Sequence, residues 1–159
     1  MNLHRGDALL AGSALLALGA VGVALITQYA YDMQPCPWCV LQRLIFILLA
    51  LAAVIGLVWR SSLGRRVAAA VALAMAACGV AAALWQHFVA AASSSCKQTL
   101  ADRLIAATGL DRLLPEVFAA YASCAQAKVN LFGLPYELWS LALFGLLGAA
   151  MWAALRRSG

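Results

Sequence analysis

Residues 40–59 read VLQRLIFILLALAAVIGLVW, a stretch with one charged side chain, Arg43. Crossing the hydrocarbon core of a bilayer takes about 20 consecutive apolar residues, and this stretch meets that length. Lipid offers no partners to backbone N–H and C=O groups, so such a segment must satisfy them internally as a helix. Its Leu and Ala content fits a helix better than the alternating strands of a barrel. Working outward, comparable apolar runs cover roughly 8–29, 67–92 and 134–155. The chain has 159 residues, 65% hydrophobic and 11% charged, where a soluble domain carries about 25% charged residues. These numbers exclude an ordinary water-soluble fold. They predict an all-α membrane protein: a four-transmembrane-helix bundle forming a single integral membrane domain over residues 1–159.

His4 and Arg5 precede the first run, as they would in a signal peptide, but the run is too long for one and no small-x-small cleavage site follows it. It is read as an uncleaved first helix. Its glycines, Gly12, Gly19 and Gly22, predict close helix–helix packing. Orientation follows from Lys and Arg in short loops, which favour the cytoplasmic side. Arg5, the cluster Arg60, Arg65 and Arg66, and the pair Arg156 and Arg157 therefore share the cytoplasm. The other side then receives a short loop near 30–38, with Asp32 as its charge, and a longer one near 93–133. In the longer loop Lys97, Arg103, Arg112 and Lys128 nearly balance Asp102, Asp111 and Glu116. The net charge of +5 is thus a topology signal. No basic run with interleaved aromatics points to nucleic acid. Leu100, Leu104 and Ile105, then Leu113, Leu114, Val117 and Phe118, recur at helical spacing around Gly109 and Pro115, which predicts short amphipathic helices on the membrane surface.

Four of the five cysteines fall in the two outer loops. Cys36 and Cys39 form Cys-Pro-Trp-Cys in the short loop, and Cys96 and Cys124 bracket the long one. Cysteines outside the cytoplasm normally end as disulfides, so an even number there suggests two pairs. Cys78, inside the third apolar run, is expected to be a buried, inert small hydrophobe. A Cys-x-x-Cys ring exchanges readily, and a helix beginning at Cys39 would favour a thiolate there through its positive end. This suits a redox pair, although a rigid staple pinning the loop has the same spacing. Haem attachment would need His after the second Cys, and position 40 is Val. Zinc on four thiolates fits the count, but an oxidising compartment competes with it and no second Cys-x-x-Cys appears. Arg43 lies one turn beyond Cys39, on the same helical face. An intramembrane cation costs about 2.5–3.5 kcal/mol, so it usually has a partner or a function. It could donate hydrogen bonds to a carbonyl oxygen of a flat, apolar acceptor, or snorkel to the headgroups.

The stretch Met33–Arg43, with its Cys-x-x-Cys followed by Gln42-Arg43, resembles the signature of the disulfide bond formation protein B (DsbB) family. So do Leu131–Trp139 and Leu114–Phe118 ahead of Cys124. The resemblance covers nearly the whole chain and implies a quinone-dependent thiol oxidase in the bacterial inner membrane. It would reoxidise a periplasmic, thioredoxin-fold oxidant of the DsbA type; such a system is known to keep the bacterial periplasm oxidising. On that resemblance Cys96 and Cys124 receive electrons from the partner, Cys36 and Cys39 pass them inward, and Arg43 and Cys39 sit beside the quinone, either ubiquinone or menaquinone. His87, with Trp85 and Gln86 at the outer end of the third helix, is a further candidate at the quinone, although it lies about a turn nearer the loop than the family's histidine. Two alternatives remain open at this point. A vitamin K epoxide reductase-like oxidase also joins four helices, loop cysteines and a quinone, but its Cys-x-x-Cys follows the loop cysteines instead of preceding them. A non-enzymatic scaffold with two stapled loops would leave Arg43 without a task.

The charge pattern predicts that both termini face the cytoplasm. Reporter fusions to residue 159 should be active in the cytoplasmic format and silent in the periplasmic one; the reverse result would overturn this topology.

Overall fold

The computed structural model describes residues 2–59, 61–90, 99–127, 129–131 and 133–157, with side chains from residue 5 onward. Cys96, Arg60, Lys97 and Lys128, all named above, and Phe132 within the stretch Leu131–Trp139, lie outside the described residues. In chain order the elements are α1 (Asn2–Tyr31), α2 (Pro37–Val58), α3 (Ser62–Phe88), α4 (Leu100–Thr108), α5 (Leu110–Leu113), α6 (Pro115–Phe118), β1 (Asn130–Leu131), β2 (Leu134–Pro135) and α7 (Tyr136–Arg157). Among the described residues, α1, α2, α3 and α7 are long and apolar enough to cross a membrane. The protein is an all-α, multi-pass membrane protein. Neighbouring pairs pack in the ring α1, α2, α3, α7 and back to α1.

The helix ends show why the elements begin where they do. Asp32 adopts a left-handed conformation, φ 53°, which a short polar side chain tolerates, and α1 stops there. Pro37 occupies the first turn of α2, where its missing N–H costs nothing. Ser61 caps α3, its Oγ accepting the Gly64 N–H at 3.0 Å. The third helix therefore starts at Ser62, five residues before the apolar run, and Arg65 and Arg66 belong to its first turns instead of to the connection. Arg65 Nη1 meets Asp7 Oδ1 at 3.3 Å, tying the amino ends of α1 and α3 to one end of the bundle. Towards the other end Thr99 and Asp102 form a capping box on α4, and Gly109 closes that helix with φ 69°, a conformation glycine adopts without steric cost. The predicted amphipathic segments are helical. Ile105 and Phe118 turn inward, while Leu100, Leu104, Leu113 and Leu114 stay exposed.

Two sequence expectations are corrected by the packing. A Cβ on Gly12, Gly19 or Gly22 would meet nothing within 4 Å, so these glycines do not bring helices together; α1 packs through Leu10, Ala14, Ala17 and Val21. Close approach is made by α3, whose Ala68, Ala69, Ala72, Ala76, Gly79, Ala82 and Ala83 are buried. Cys78, expected to be buried, is exposed, because it points away from the small-residue stripe that α3 presents to its neighbours. Large exposed side chains such as Leu15, Ile26, Leu51 and Leu63 form the outer face that lipid covers.

At the centre, Phe46 of α2 stacks on Phe144 of α7 with ring centroids 3.9 Å apart and planes 6° from parallel. A Cβ on Gly79 would lie 2.3 Å from the Phe144 ring. Gly79→Ala should therefore displace that ring and cost about 1–3 kcal/mol, the usual penalty for overpacking. Gly145→Ala, where a Cβ meets nothing within 4 Å, should be neutral or stabilising. Thermal unfolding of both variants in detergent checks this, and equal behaviour would refute the close α3–α7 contact.

Candidate functional site

Cys36 is the N-cap of α2, and its Sγ accepts the N–H of Cys39 at 3.3 Å. The helix thus begins two residues before Cys39, and the donor at its amino end serves Cys36 rather than the second cysteine. One helical turn brings the two sulfurs to 2.7 Å, so little movement separates the dithiol from a disulfide, whose bond is about 2.0 Å. The backbone then stitches the long loop onto the short one. The carbonyl of Pro35 accepts the N–H groups of Tyr121 at 3.0 Å and Ala122 at 3.3 Å, and Tyr29 Oη donates to the carbonyl of Glu116 at 2.8 Å. A turn at 123–127, closed by Ala127 N–H to the Ser123 carbonyl at 2.9 Å, carries Cys124. Its thiol lies near that of Cys36 and interacts with it.

Three of the four predicted redox cysteines therefore gather: Cys39 touches Cys36, and Cys124 interacts with Cys36. Cys36 is fully buried. Its hydrogen bonds to Cys124 and then Cys39, together with burial, push its pKa well up, so it keeps its proton. Cys124 moves the other way. The hydrogen bond from Cys36 favours its thiolate, and a backbone hydrogen bond at Trp38 adds to this against the cost of burial.

Arg43 does not snorkel. It is 5% exposed, and Nη1 donates to Gln28 Oε1 at 2.7 Å and to the Val117 carbonyl at 3.1 Å. Nη2 donates to the Ala24 carbonyl at 3.3 Å. A guanidinium has five N–H donors, and three are accounted for by these bonds. On the Cys39 side, Gln42 Nε2 donates to Gln86 Oε1 at 2.7 Å, and Gln86 Nε2 donates to Cys39 Sγ at 3.3 Å.

Beside these groups lies a cavity of about 620 Å³, within the 300–1,000 Å³ usual for small-molecule sites. Cys39, Gln42, Arg43, Gln86, Tyr136 and Glu137 give it one polar end. Leu15, Leu16, Val23, Phe46, Leu143 and Leu146 make the rest apolar. Leu15 and Leu146 are also exposed on the outer face of the bundle, so the cavity opens sideways between α1 and α7. The arrangement suits a flat, apolar molecule with a polar edge, delivered from the lipid.

His87 does not line this cavity. Its Nδ1 lies 3.0 Å from Oε1 of Glu137, and Glu137 is the one of the two that faces the cavity. Trp85 is half exposed and packs on Trp38, with ring centroids 6.2 Å apart. Sequence reasoning did not single out Gln28, and it quoted Gln42 and Glu137 only within motifs. All three are polar residues in apolar helices, where burial is costly enough to mark function, and that signal could have found them.

The sequence profile of the family described as "Disulfide bond formation protein DsbB" matches residues 7–154. Proteins called disulfide bond formation protein B are similar over almost the full chain. One from Burkholderia thailandensis is 31% identical over 158 residues, covering 99% of this chain and 94% of that protein. One from Aromatoleum aromaticum is also 31% identical, covering 96% and 95% respectively. One from Chromohalobacter salexigens is 33% identical over 153 residues, covering 92% and 87%.

The opposite shifts at Cys36 and Cys124 generate a test. A thiol whose pKa is lowered reaches its reactive thiolate at lower pH, and one whose pKa is raised needs more alkaline conditions. In the fully reduced protein near neutral pH, a small alkylating reagent should modify Cys124 well before Cys36. Mass-mapped alkylation rates check this; faster modification of Cys36 would reverse the assignment.

Proposed function

This chain belongs to the DsbB family of disulfide bond formation proteins, and on that premise we propose that it is a quinone-dependent thiol oxidase of the bacterial inner membrane. Its membership makes it a membrane-embedded disulfide oxidoreductase. The finer reading is that it reoxidises a periplasmic DsbA-type partner and passes the electrons to ubiquinone or menaquinone, with both termini in the cytoplasm. The observation that carries this reading is the line Cys124, Cys36, Cys39, which ends at an apolar cavity bordered by Arg43.

The residues present fit a quinone. The cavity is apolar along most of its wall, and Arg43 keeps N–H donors beyond those used to hold α1 and α6. When bound, the quinone supplies a two-electron acceptor. The chain's own residues then do the following. The partner's thiolate attacks Cys96 of a Cys96–Cys124 disulfide, forming a mixed disulfide and freeing Cys124. Cys124, whose thiolate its surroundings favour, attacks the Cys36–Cys39 disulfide at Cys36, the sulfur it interacts with. Attack at Cys39 would have to expel Cys36, a poor leaving group because its pKa is pushed up. Cys39 therefore leaves, and it is the sulfur that borders the cavity. The partner's second thiolate then displaces Cys96, completing the partner's disulfide, and Cys96 attacks Cys124 of the Cys36–Cys124 disulfide, which restores Cys96–Cys124 and releases Cys36 as a thiol. Overall two partner thiols become one disulfide, and two electrons and two protons, now carried by Cys36 and Cys39, move on. Each ~30 mV of potential difference in such an exchange is worth about 1.4 kcal/mol, so a quinone's oxidising potential draws even a strongly oxidising partner forward.

Purified protein given a reduced thioredoxin-fold dithiol and a soluble quinone should form quinol and partner disulfide in equal amounts. Arg43→Leu should lose a charged hydrogen bond of about 1.5–3 kcal/mol, roughly ten- to a hundredfold in quinone affinity, while exchange among the cysteines persists. Arg43→Lys, which keeps the charge but not the fork, should fall between the two. Absence of quinol formation by the wild type would overturn the reading, and unchanged quinone affinity in Arg43→Leu would reduce Arg43 to a structural tie.

A further inference from the structure

Glu137 is a second ionisable group inside the apolar layer, and the electron route through the cysteines does not use it. It sits in the first turn of α7, is 7% exposed, and faces the cavity. Its partner is informative. An Arg or Lys would hold a carboxylate in a fixed ion pair, whereas Oε1 of Glu137 is met by His87 Nδ1 at 3.0 Å. Imidazole gains and loses protons near neutral pH, and its two nitrogens let a proton enter on one side and leave on the other. The His87 side chain is 32% exposed while that of Glu137 is 9% exposed. The pair therefore runs from the surface at the outer end of α3 to the polar end of the cavity.

The remaining polar groups at that end cannot take its place. Gln42 and Gln86 carry amides, which hydrogen-bond without transferring protons, and the Arg43 guanidinium does not deprotonate in proteins. A phenol is a far weaker acid than a carboxylic acid, and Cys39 is committed to electron transfer. Reduction of a quinone to a quinol consumes two protons with its two electrons, and an apolar cavity keeps bulk water from supplying them.

We propose that Glu137, recharged by His87, is the proton donor of this cavity. The proposal rests on the quinone reading above. A proton taken from the outer aqueous face onto His87 Nε2 makes an imidazolium, and the Nδ1 proton passes to Glu137 Oε1. The neutral carboxyl group then releases its proton into the cavity, and the ring regains its Nδ1–H tautomer by giving its Nε2 proton back to outside water and taking one up at Nδ1. Oxidation of Cys36 and Cys39 to a disulfide gives up two electrons and two protons, and the acceptor takes two of each. The relay thus changes where a proton enters and leaves the overall balance intact.

The test uses the full-length purified protein with a soluble quinone. Glu137→Gln keeps an acceptor for Nδ1–H and nearly the same volume, so quinone affinity by equilibrium titration should be unchanged. Quinol formation should slow by roughly 10²-fold or more, the usual contribution of a positioned proton donor, and added formic acid should restore part of the rate. His87→Ala should be slowed as well and rescued by added imidazole. Infrared difference spectra taken when quinone binds should contain a carboxyl band in the wild type that is missing in Glu137→Gln. An unchanged rate in Glu137→Gln overturns the proposal. So does a slow variant that has lost quinone affinity and is not rescued, since that marks a purely structural role. Wild-type protein that reduces no quinone would instead bring down the reading on which the proposal stands.

Discussion

A guanidinium enclosed in an apolar layer has to be surrounded by acceptors, and the way Arg43 meets this demand organises the rest of the site. Its bonds reach Gln28 and the Ala24 carbonyl on α1, and the Val117 carbonyl on α6. One side chain of α2 thereby fixes the angle of the first helix and pins the long loop over the amino end of the second. No carboxylate lies within ion-pair distance of it among the described residues, so the charge is solvated by neutral dipoles and stays available to a polar ligand. Exchange for a lysine is not conservative here, because the planar fork serves several acceptors at once.

The same end of α2 sets the order of the sulfurs. Pro35 places an acceptor where the Tyr121 and Ala122 N–H groups need one, and Pro37 starts the helix with Cys36 as its cap. Loop docking and helix capping thus meet at two consecutive backbone positions, and Cys36 ends between Cys124 and Cys39. A buried central sulfur that holds its proton, flanked by a more acidic one, would give the proposed exchange a direction. On the far side the cavity joins a polar end to an apolar remainder, which suits a molecule with a reactive edge and a greasy body. The stacked pair Phe46 and Phe144, seated against Gly79, closes the centre of the bundle behind it.

The differences between expectation and structure share a cause. The expectation for Gly12, Gly19 and Gly22 on α1 rests on residue type and that for Cys78 on its place in an apolar run, but the face a helical residue occupies depends on which neighbours surround the helix. The small side chains that matter for packing form the Ala and Gly stripe of α3. His87 is comparable. The family resemblance and its place at the outer end of α3 suggested a ligand contact, whereas the register of α3 against α7 turns it to Glu137, and Gln86 and Glu137 line the cavity.

What the sequence by itself determined is everything that follows from the bilayer and from local chemistry: four apolar helices, the loops that hold the cysteines, and the exposed apolar outer face. Length, charge and lipid's lack of hydrogen-bond partners act on a segment whatever lies beside it, so these features were legible. The motif around Cys36, Cys39 and Arg43 was legible too, because its members lie within two helical turns of one another. Only the tertiary structure decided which distant groups complete the site. Cys124 meets Cys36 across 88 positions, and the Arg43 acceptors come from α1 and from Val117. Glu137 reaches His87 from another helix. Such contacts depend on the rotation and register of packed helices, which many small side-chain contacts set together and which no short stretch of sequence encodes.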